Sequence, residues 1–271
     1  MQVINTNIAS LSARRVLTET QEAQQTAMQR LSSGVRINSA KDDAAGMAVS
    51  DHMTAQIRSL NQAVRSSNDG ISFVQTAEGA LGTVSDMLQR IRELAVQSDG
   101  GTLNSSQQDY IDMEVKVLGQ EMGNILSSTK FNGISMLTSG TVTIQAGWDS
   151  GDTITIGMTD ISSSLTTYTA FSNATGTANT QALTLSDIDT AIEAVNNRRS
   201  ELGAQQNRLE YNVDNLMNVT ENMTAARSRI LDADFAAESA ELARTNVLQQ
   251  AGMAMLSQAN SSSQQVLMLL Q

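Results

Sequence analysis

The sequence has no cysteine, no proline and a single histidine, and aromatic residues make up only 3% of it. Without cysteine there can be no disulfide, no thiol nucleophile and no cysteine-ligated metal. One histidine cannot supply the paired ligands of a zincin helix. The absence of proline removes the residue that most reliably interrupts helices and fixes loops. One Trp, three Tyr and four Phe in 271 residues are too few for a broad globular core. The hydrophobic 40% is therefore carried by Leu, Ile, Val, Ala and fourteen Met, which suit thin seams between helices.

Basic charge is also scarce. The formal net charge is −11 and no stripe of Lys or Arg occurs, so no nucleic acid is expected as partner. The dispersed acidity reads as a solvated surface. The opening MQVINTNIAS lacks a basic segment followed by an apolar run, and the terminal cluster Val266 to Leu270 is about a quarter of a membrane span. The expectation is a chain with no cleaved signal and no membrane anchor. No glycine-rich phosphate loop is present, and no cofactor is expected.

What the sequence does contain is regular spacing. Ile188, Ile192, Val195, Arg199, Leu202, Gln206, Leu209, Val213, Leu216, Thr220, Met223, Arg227 and Ile230 alternate steps of four and three. A helix of that length would run roughly 60 Å, which predicts a rod. A second ladder runs through Ile57, Leu60, Val64, Ser67, Ile71, Val74, Ala77, Leu81, Val84, Leu88, Ile91 and Ala95. Its two successive steps of three, from Ile71 to Ala77, predict a local overwinding. The ladder continues on both sides of Asn68-Asp69-Gly70, so a continuous helix with a costly glycine is expected there, ending near Asp99-Gly100-Gly101. Ile111, Val115, Leu118, Met122 and Ile125 mark a further helix folding back along it, ending before Phe131-Asn132-Gly133.

Both ends of the chain read as amphipathic helices. Ile8, Leu11, Ala23, Ala27, Met28 and Leu31 share helical spacing over 5–33, and Val247, Ala251, Ala254, Met255 and Ala259 share one side of a stretch from 236 to 270. Gly34 stands where the first helix should end, and 35–46 reads as an irregular connector. Leu231-Asp232-Ala233-Asp234-Phe235 breaks the long seam in the same way. The middle differs: Thr, Ser and Gly make up half of 138–185. There Val142, Ile144 and Ala146, then Ile154, Ile156 and Met158, alternate with polar residues across Asp149-Ser150-Gly151-Asp152, the pattern of a β-hairpin. Tyr168 to Leu183 reads as a surface loop. The fold class is thus mainly α, a long antiparallel helical rod or coiled coil with a small β-hairpin insertion.

No set of residues suggests catalysis, and the chain is not read as an enzyme. Asp42-Asp43 fits helix capping or a solvated connector, with no base or nucleophile specified nearby. His52 reads as a partly exposed helix residue. Asp149, Asp152 and Asp160 lack the ligand spacing of a calcium loop and read as turn residues.

Several motifs together resemble bacterial flagellin. They are LSSGVRINSAKDDAAG (31–46), NDGIS (68–72), AEGAL (77–81), RIRELAVQS (90–98) and FNG (131–133), followed by ARSRI (226–230) with Asp232 and Asp234, LQQAG (248–252) and Gln258-Ala259-Asn260. The resemblance implies a structural subunit that polymerises into the extracellular flagellar filament for swimming motility. It also implies three regions: 1–44 with 231–271 as a terminal helical core, 45–137 with 186–230 as a rod, and 138–185 as its β-hairpin and loop stub. The core positions matching self-assembly are Ile8, Leu11, Met28, Leu31, Val247, Ala251, Met255 and Ala259. Those matching rod packing are Leu60, Val64, Ile71, Leu81, Leu88, Leu202, Leu209 and Leu216.

The same resemblance implies export as an unfolded chain, secretion to the flagellum, terminal helices disordered before assembly, and partners beyond the polymer itself. A flagellar export chaperone would bind the C-terminal helix, including Val247, Leu256 and Leu267; filament cap and hook-junction proteins would adjoin the polymer. Toll-like receptor 5 recognises the rod helices of many flagellins, and Gln89, Arg90, Leu94 and Glu114 are the matching positions, which also fit lateral contacts between subunits. Two departures stand out. The chain has only the 138–185 stub where many relatives insert large outer domains, which implies a thin, smooth filament, and Ser261 to Ser263 stand where relatives often have a proline. The alternatives are the hook–filament junction protein of the same superfamily, which should match LQQAG and RIRELAVQS less fully, and a secreted adhesin, which should carry a large aromatic middle domain.

Overall fold

The computed structural model describes residues 6–158 and 184–268, with side chains through 261. The Thr-rich loop of 168–183 and the side chain of Leu267 therefore lie outside the described residues. The elements are α1 (Ile8–Ser33), α2 (Ala44–Ser98), α3 (Ser105–Ser128), β1 (Lys130–Phe131), β2 (Ile134–Ser135), β3 (Gly140–Gln145), β4 (Thr153–Met158), α4 (Leu185–Leu231) and α5 (Phe235–Met268). Residues 1–57 with 221–271 form one compact unit, and residues 58–220 form a second.

The second unit holds the main core, built from α2, α3, α4 and the β3–β4 hairpin. Leu81, Val84, Leu88 and Ile91 of α2 meet Ile111, Val115 and Met122 of α3 and Ile188, Val195, Leu202 and Leu209 of α4, all buried. Leu60 and Leu216 are buried as well, whereas Val64 is only half-buried and Ile71 packs at the edge of the core. α2 runs unbroken through Asn68-Asp69-Gly70.

The change of phase expected between Ile71 and Ala77 does not appear in the burial pattern of α2. From Leu60 onward its buried positions include Leu60, Ala63, Ser67, Gly70, Val74, Ala77, Leu81, Val84, Leu88, Ile91, Ala95 and Ser98, which alternate three and four, while Ile57, also buried, stands three residues before Leu60. The apparent phase change arose from choosing the larger Val64 and Ile71 over their small neighbours Ala63 and Gly70. At Gly70 the reason for a small residue is visible, because an added Cβ would collide with the Ile144 side chain of the hairpin. The close approach offsets the roughly 1 kcal/mol that a helical glycine costs.

The α4 seam is corrected in the same way. Ile188, Val195, Leu202, Leu209 and Leu216 are buried at every seventh position as read, but the flanking row is Ala191, Arg198, Gln205 and Asn212 as much as Ile192, Arg199, Gln206 and Val213. Arg198 and Asn212 are held there by partners, whereas the side-chain oxygen of Gln205 is buried without one. The Arg198 guanidinium donates to the carbonyl of Gly157 on β4 and pairs with Glu201. Asn212 Nδ2 donates to Ser67 Oγ (3.3 Å) and to the carbonyl of Ala146 (3.1 Å). α4 thus carries the hairpin on a polar strip.

β3 and β4 pair antiparallel with Val142 opposite Ile156 and Ile144 opposite Ile154, which places Ile144, Ile154 and Ile156 inside. Phe131-Asn132-Gly133 does more than end α3. It closes a second, minimal hairpin of β1 and β2, with Asn132 and Gly133 both at positive φ. An Asn-Gly pair between two short apolar runs is the signal that would have found it.

Helix ends follow local chemistry. Asn104 and Gln107 form a reciprocal capping box at the start of α3. Gly34 ends α1 with φ +73°, its N–H bonded to the Arg30 carbonyl at 2.8 Å. Asp43 caps α2 by accepting from the Gly46 N–H at 2.9 Å, and Asp42 accepts from the backbone N–H groups of Asn38 and Ser39 and from the Ser39 hydroxyl. The capping reading of this aspartate pair holds. His52 is an exposed helix residue.

Candidate functional site

α1 and α5 pair as antiparallel helices. Asn7 Nδ2 donates to the Ala259 carbonyl (3.0 Å), Gln24 Nε2 to Asn246 Oδ1 (2.6 Å), and Arg30 pairs with Glu238 (3.0 Å). The buried and half-buried positions of α1 include Ser10, Ala13, Leu17, Thr20, Gln24, Ala27 and Leu31; those of α5 include Ala259, Leu256, Gly252, Gln249, Thr245, Leu242 and Glu238. Each series alternates threes and fours, and written in this order they oppose one another position by position. Large side chains face small ones: Leu256 opposite Ala13, Leu17 opposite Gly252, Leu242 opposite Ala27. A layer of Thr20, Gln24, Thr245 and Gln249 crosses the middle.

This seam holds few large apolar residues, because most of them point the other way. Ile8, Leu11, Val16 and Met28 of α1 and Val247, Leu248, Met253 and Met255 of α5 are all exposed, Leu11 at 67% and Val247 and Met255 at 65% each. Of the residues singled out from sequence for self-assembly, Ile8, Leu11, Met28, Val247, Ala251 and Met255 are exposed, and Leu31 and Ala259 are half-buried in the pair. The structure therefore brings the two helices together while leaving most of their large apolar side chains uncovered, and in α5 these are spread around the helix where the sequence suggested one apolar side. Covering one Leu, Val or Met of this kind contributes about 1.5–3 kcal/mol, so these faces are the largest uncollected source of stability in the unit.

The connectors beside the pair are tied to each other. Arg36 donates its backbone N–H to the Leu231 carbonyl (2.7 Å) and its guanidinium to the Ile230 carbonyl (2.6 Å), neutralising the C-terminal end of α4. Ala233 N–H bonds the Gly34 carbonyl at 3.0 Å, and Ile37 is buried. An added Cβ at Gly46 would strike Asp43 and Ile37. The stretch 31–46 that reads as featureless by periodicity is thus a specified knot of capping and bridging contacts.

A second surface lies on α2 and α3. Arg90 donates through Nε (3.0 Å) and a terminal nitrogen (2.9 Å) to Glu114 across the two helices and pairs with Glu93 at 3.0 Å. Glu93 and Glu114 raise the Arg90 guanidinium above its ordinary range. Gln89, Arg90 and Glu114 are exposed together, whereas Leu94, grouped with them from sequence, is 2% exposed and belongs to the core beneath. Tyr110, Met113 and Val117 form an exposed stripe along α3. Among the described residues no group of His, Asp and Glu is placed to hold a metal, and no helix is long and apolar enough to cross a membrane.

The sequence matches two family profiles: the bacterial flagellin N-terminal helical region over residues 4–143 and the bacterial flagellin C-terminal helical region over residues 185–270. It is 46% identical over 271 residues to a flagellin of Halalkalibacterium halodurans, covering 99% of each chain. It is 41% identical over 288 residues to the flagellar filament 33 kDa core protein of Treponema phagedenis, again covering 99% of each. Among solved structures, a putative flagellar hook-associated protein from Vibrio parahaemolyticus superposes with TM-score 0.57 over 70% of this chain and all of that one, at 14% identity, a likeness of fold alone.

Proposed function

The chain belongs to the bacterial flagellin family and is a structural subunit of the flagellar filament, and we propose that the outward apolar faces of α1 and α5 are what polymerise it. The single observation behind this is that Ile8, Leu11, Met28, Val247 and Met255 are exposed on a helix pair whose internal seam is mostly small or polar. An open helical polymer needs contacts between unlike surfaces that repeat without closing. A two-helix pair with large apolar residues on its outer sides meets that need, since each subunit can cover its neighbours. A hook–filament junction protein should match LQQAG and RIRELAVQS less fully, and the matches to a flagellin at 46% and to a flagellar filament core protein at 41% favour the filament subunit.

In this reading 1–44 with 231–271 form the inner core of the filament, 45–137 with 186–230 its rod, and 138–185 the outward stub. The subunit leaves the cell unfolded through the flagellar secretion channel and works outside it. A chaperone holding the C-terminal helix at Val247 and Leu256 fits two different surfaces, because Leu256 faces α1 and Val247 faces out. Such a chaperone would displace α1. Cap and hook-junction proteins would meet the same faces at the filament ends. Gln89, Arg90 and Glu114 offer Toll-like receptor 5 a polar, charged patch, with Leu94 supporting it from below. Electron microscopy of the purified chain after seeding tests the main reading: long helical filaments are expected, and a persistently monomeric, fully folded protein would refute it.

A further inference from the structure

With no cysteine present, the fourteen methionines hold all the sulfur in the chain, and a thioether is the side chain that a peroxide attacks first. Burial divides these residues. Met122 and Met136 are sealed in the core of the rod unit. Among the described side chains only Met28, Met113, Met217, Met253 and Met255 are exposed, and three of these five stand on the α1–α5 pair. Met28 is 50% exposed and Met253 58%, with Met255 above both. The seam between the two helices contains the opposite selection: its buried and half-buried positions are Leu, Ala, Gly, Ser, Thr, Gln and Glu, and none is Met. The terminal pair thus keeps its oxidisable sulfur off the surface that holds it together and on the surface left open.

We propose that Met28, Met253 and Met255 form an oxidation-sensitive modification site: a peroxide converts them to sulfoxides in the unassembled subunit, the sulfoxides block its addition to the polymer, and assembly closes the site. This rests on the filament reading, which places these side chains between subunits. In the reaction the sulfur lone pair attacks one peroxide oxygen, an S–O bond forms and the O–O bond breaks. The departing hydroxide takes the proton of the transferred oxygen and leaves as water. Sulfur loses two electrons and the peroxide gains them. The product carries a strong acceptor oxygen on a side chain that has to enter an apolar contact, and burying that oxygen unpaired opposes association. Folding of the subunit is spared, because no methionine of the described terminal helices packs inside the pair.

The test uses the full chain and hydrogen peroxide, with a methionine-containing peptide added to both samples as the measure of dose. Mass spectrometry of monomer and filament should find Met28, Met253 and Met255 oxidised in the monomer before Met122 and Met136, and at least about tenfold more slowly in the filament. Treated monomer should keep its circular dichroism, polymerise only at a critical concentration at least about tenfold higher, and recover after methionine sulfoxide reductase. In the triple variant Met28→Leu, Met253→Leu, Met255→Leu, treated and untreated samples should polymerise alike. Equal oxidation of the three residues in monomer and filament would overturn the site and leave the filament reading standing. So would a triple variant that loses as much on treatment as the wild type does. An untreated wild-type chain that forms no filaments would overturn both. The comparison of monomer with filament needs no variant, so a triple variant that fails to assemble does not remove the test.

Discussion

Leu17 of α1 lies over Gly252 of α5, where an added Cβ would sit 3.4 Å from Leu17 Cδ1. This glycine belongs to the LQQAG motif, and its place in the seam explains why a helix carries it: the absent side chain is the hole for a leucine. The distance separates two substitutions. Gly252→Ala adds a methyl at ordinary contact distance and recovers about 1 kcal/mol of helix propensity, so circular dichroism should show equal or higher helix content. Gly252→Leu drives a second large side chain into Leu17 and should separate α1 from α5, at a cost of about 1–3 kcal/mol. Equal behaviour of the two variants would contradict the packing.

Val247 and Met255 point away from α1, so neither is needed to hold the pair. Val247→Asp and Met255→Asp should leave the folded rod unit and export from the cell intact while abolishing sedimentable polymer, because a carboxylate would be buried unpaired between subunits. The measurement is subunit in the culture medium against filament pelleted from it. Normal filaments from the double variant would remove these faces from the assembly.

Arg198 is a buried cation whose hydrogen bonds hold β4 to α4. Arg198→Met keeps the apolar stem and removes the donors, leaving the Gly157 carbonyl without that partner. The expected loss is about 1–3 kcal/mol, read as a lower thermal midpoint of the rod unit, with Trp148 fluorescence following the hairpin directly. Glu201→Gln, whose side chain is exposed, should change the stability of the unit by no more than about 1 kcal/mol.

Hydrogen bonds from the Ser39 backbone, the Ser39 hydroxyl and the Asn38 backbone hold the Asp42 carboxyl below its ordinary range. A depressed folded value stabilises the turn above the unfolded pKa, near pH 4 for aspartate, and this contribution fades as pH falls through the folded value. The Ser39 amide resonance should therefore stay constant from neutral pH to about pH 4 and move only below it. In Asp42→Ala that titration should vanish while Asp43 still caps α2. A midpoint above the ordinary aspartate value would reverse the assignment.

Much of this molecule is legible without coordinates. The positions of the helices, the β3–β4 strands and their inward residues, and the ends at Gly34 and near Asp99 follow from periodicity and local chemistry. The motifs carried the family. What the sequence left open was which residues face which partner. Gly70 and Gly252 are inside because a neighbour's side chain takes the room their missing one leaves, and hydrophobic spacing cannot register a hole. Arg198 and Asn212 are inside because a strand carbonyl and a turn carbonyl wait for them, and spacing alone counts them as surface. In the terminal helices the same blindness acts in reverse. Ile8, Leu11, Val247 and Met255 are the strongest apolar signals, yet the fold of one chain leaves them in water. Sequence by itself determined that these helices carry many large apolar residues. Tertiary structure decided which of the large residues meet the partner helix: Leu17, Leu31, Leu242 and Leu256 lie in the seam among small and polar residues, and the others turn outward.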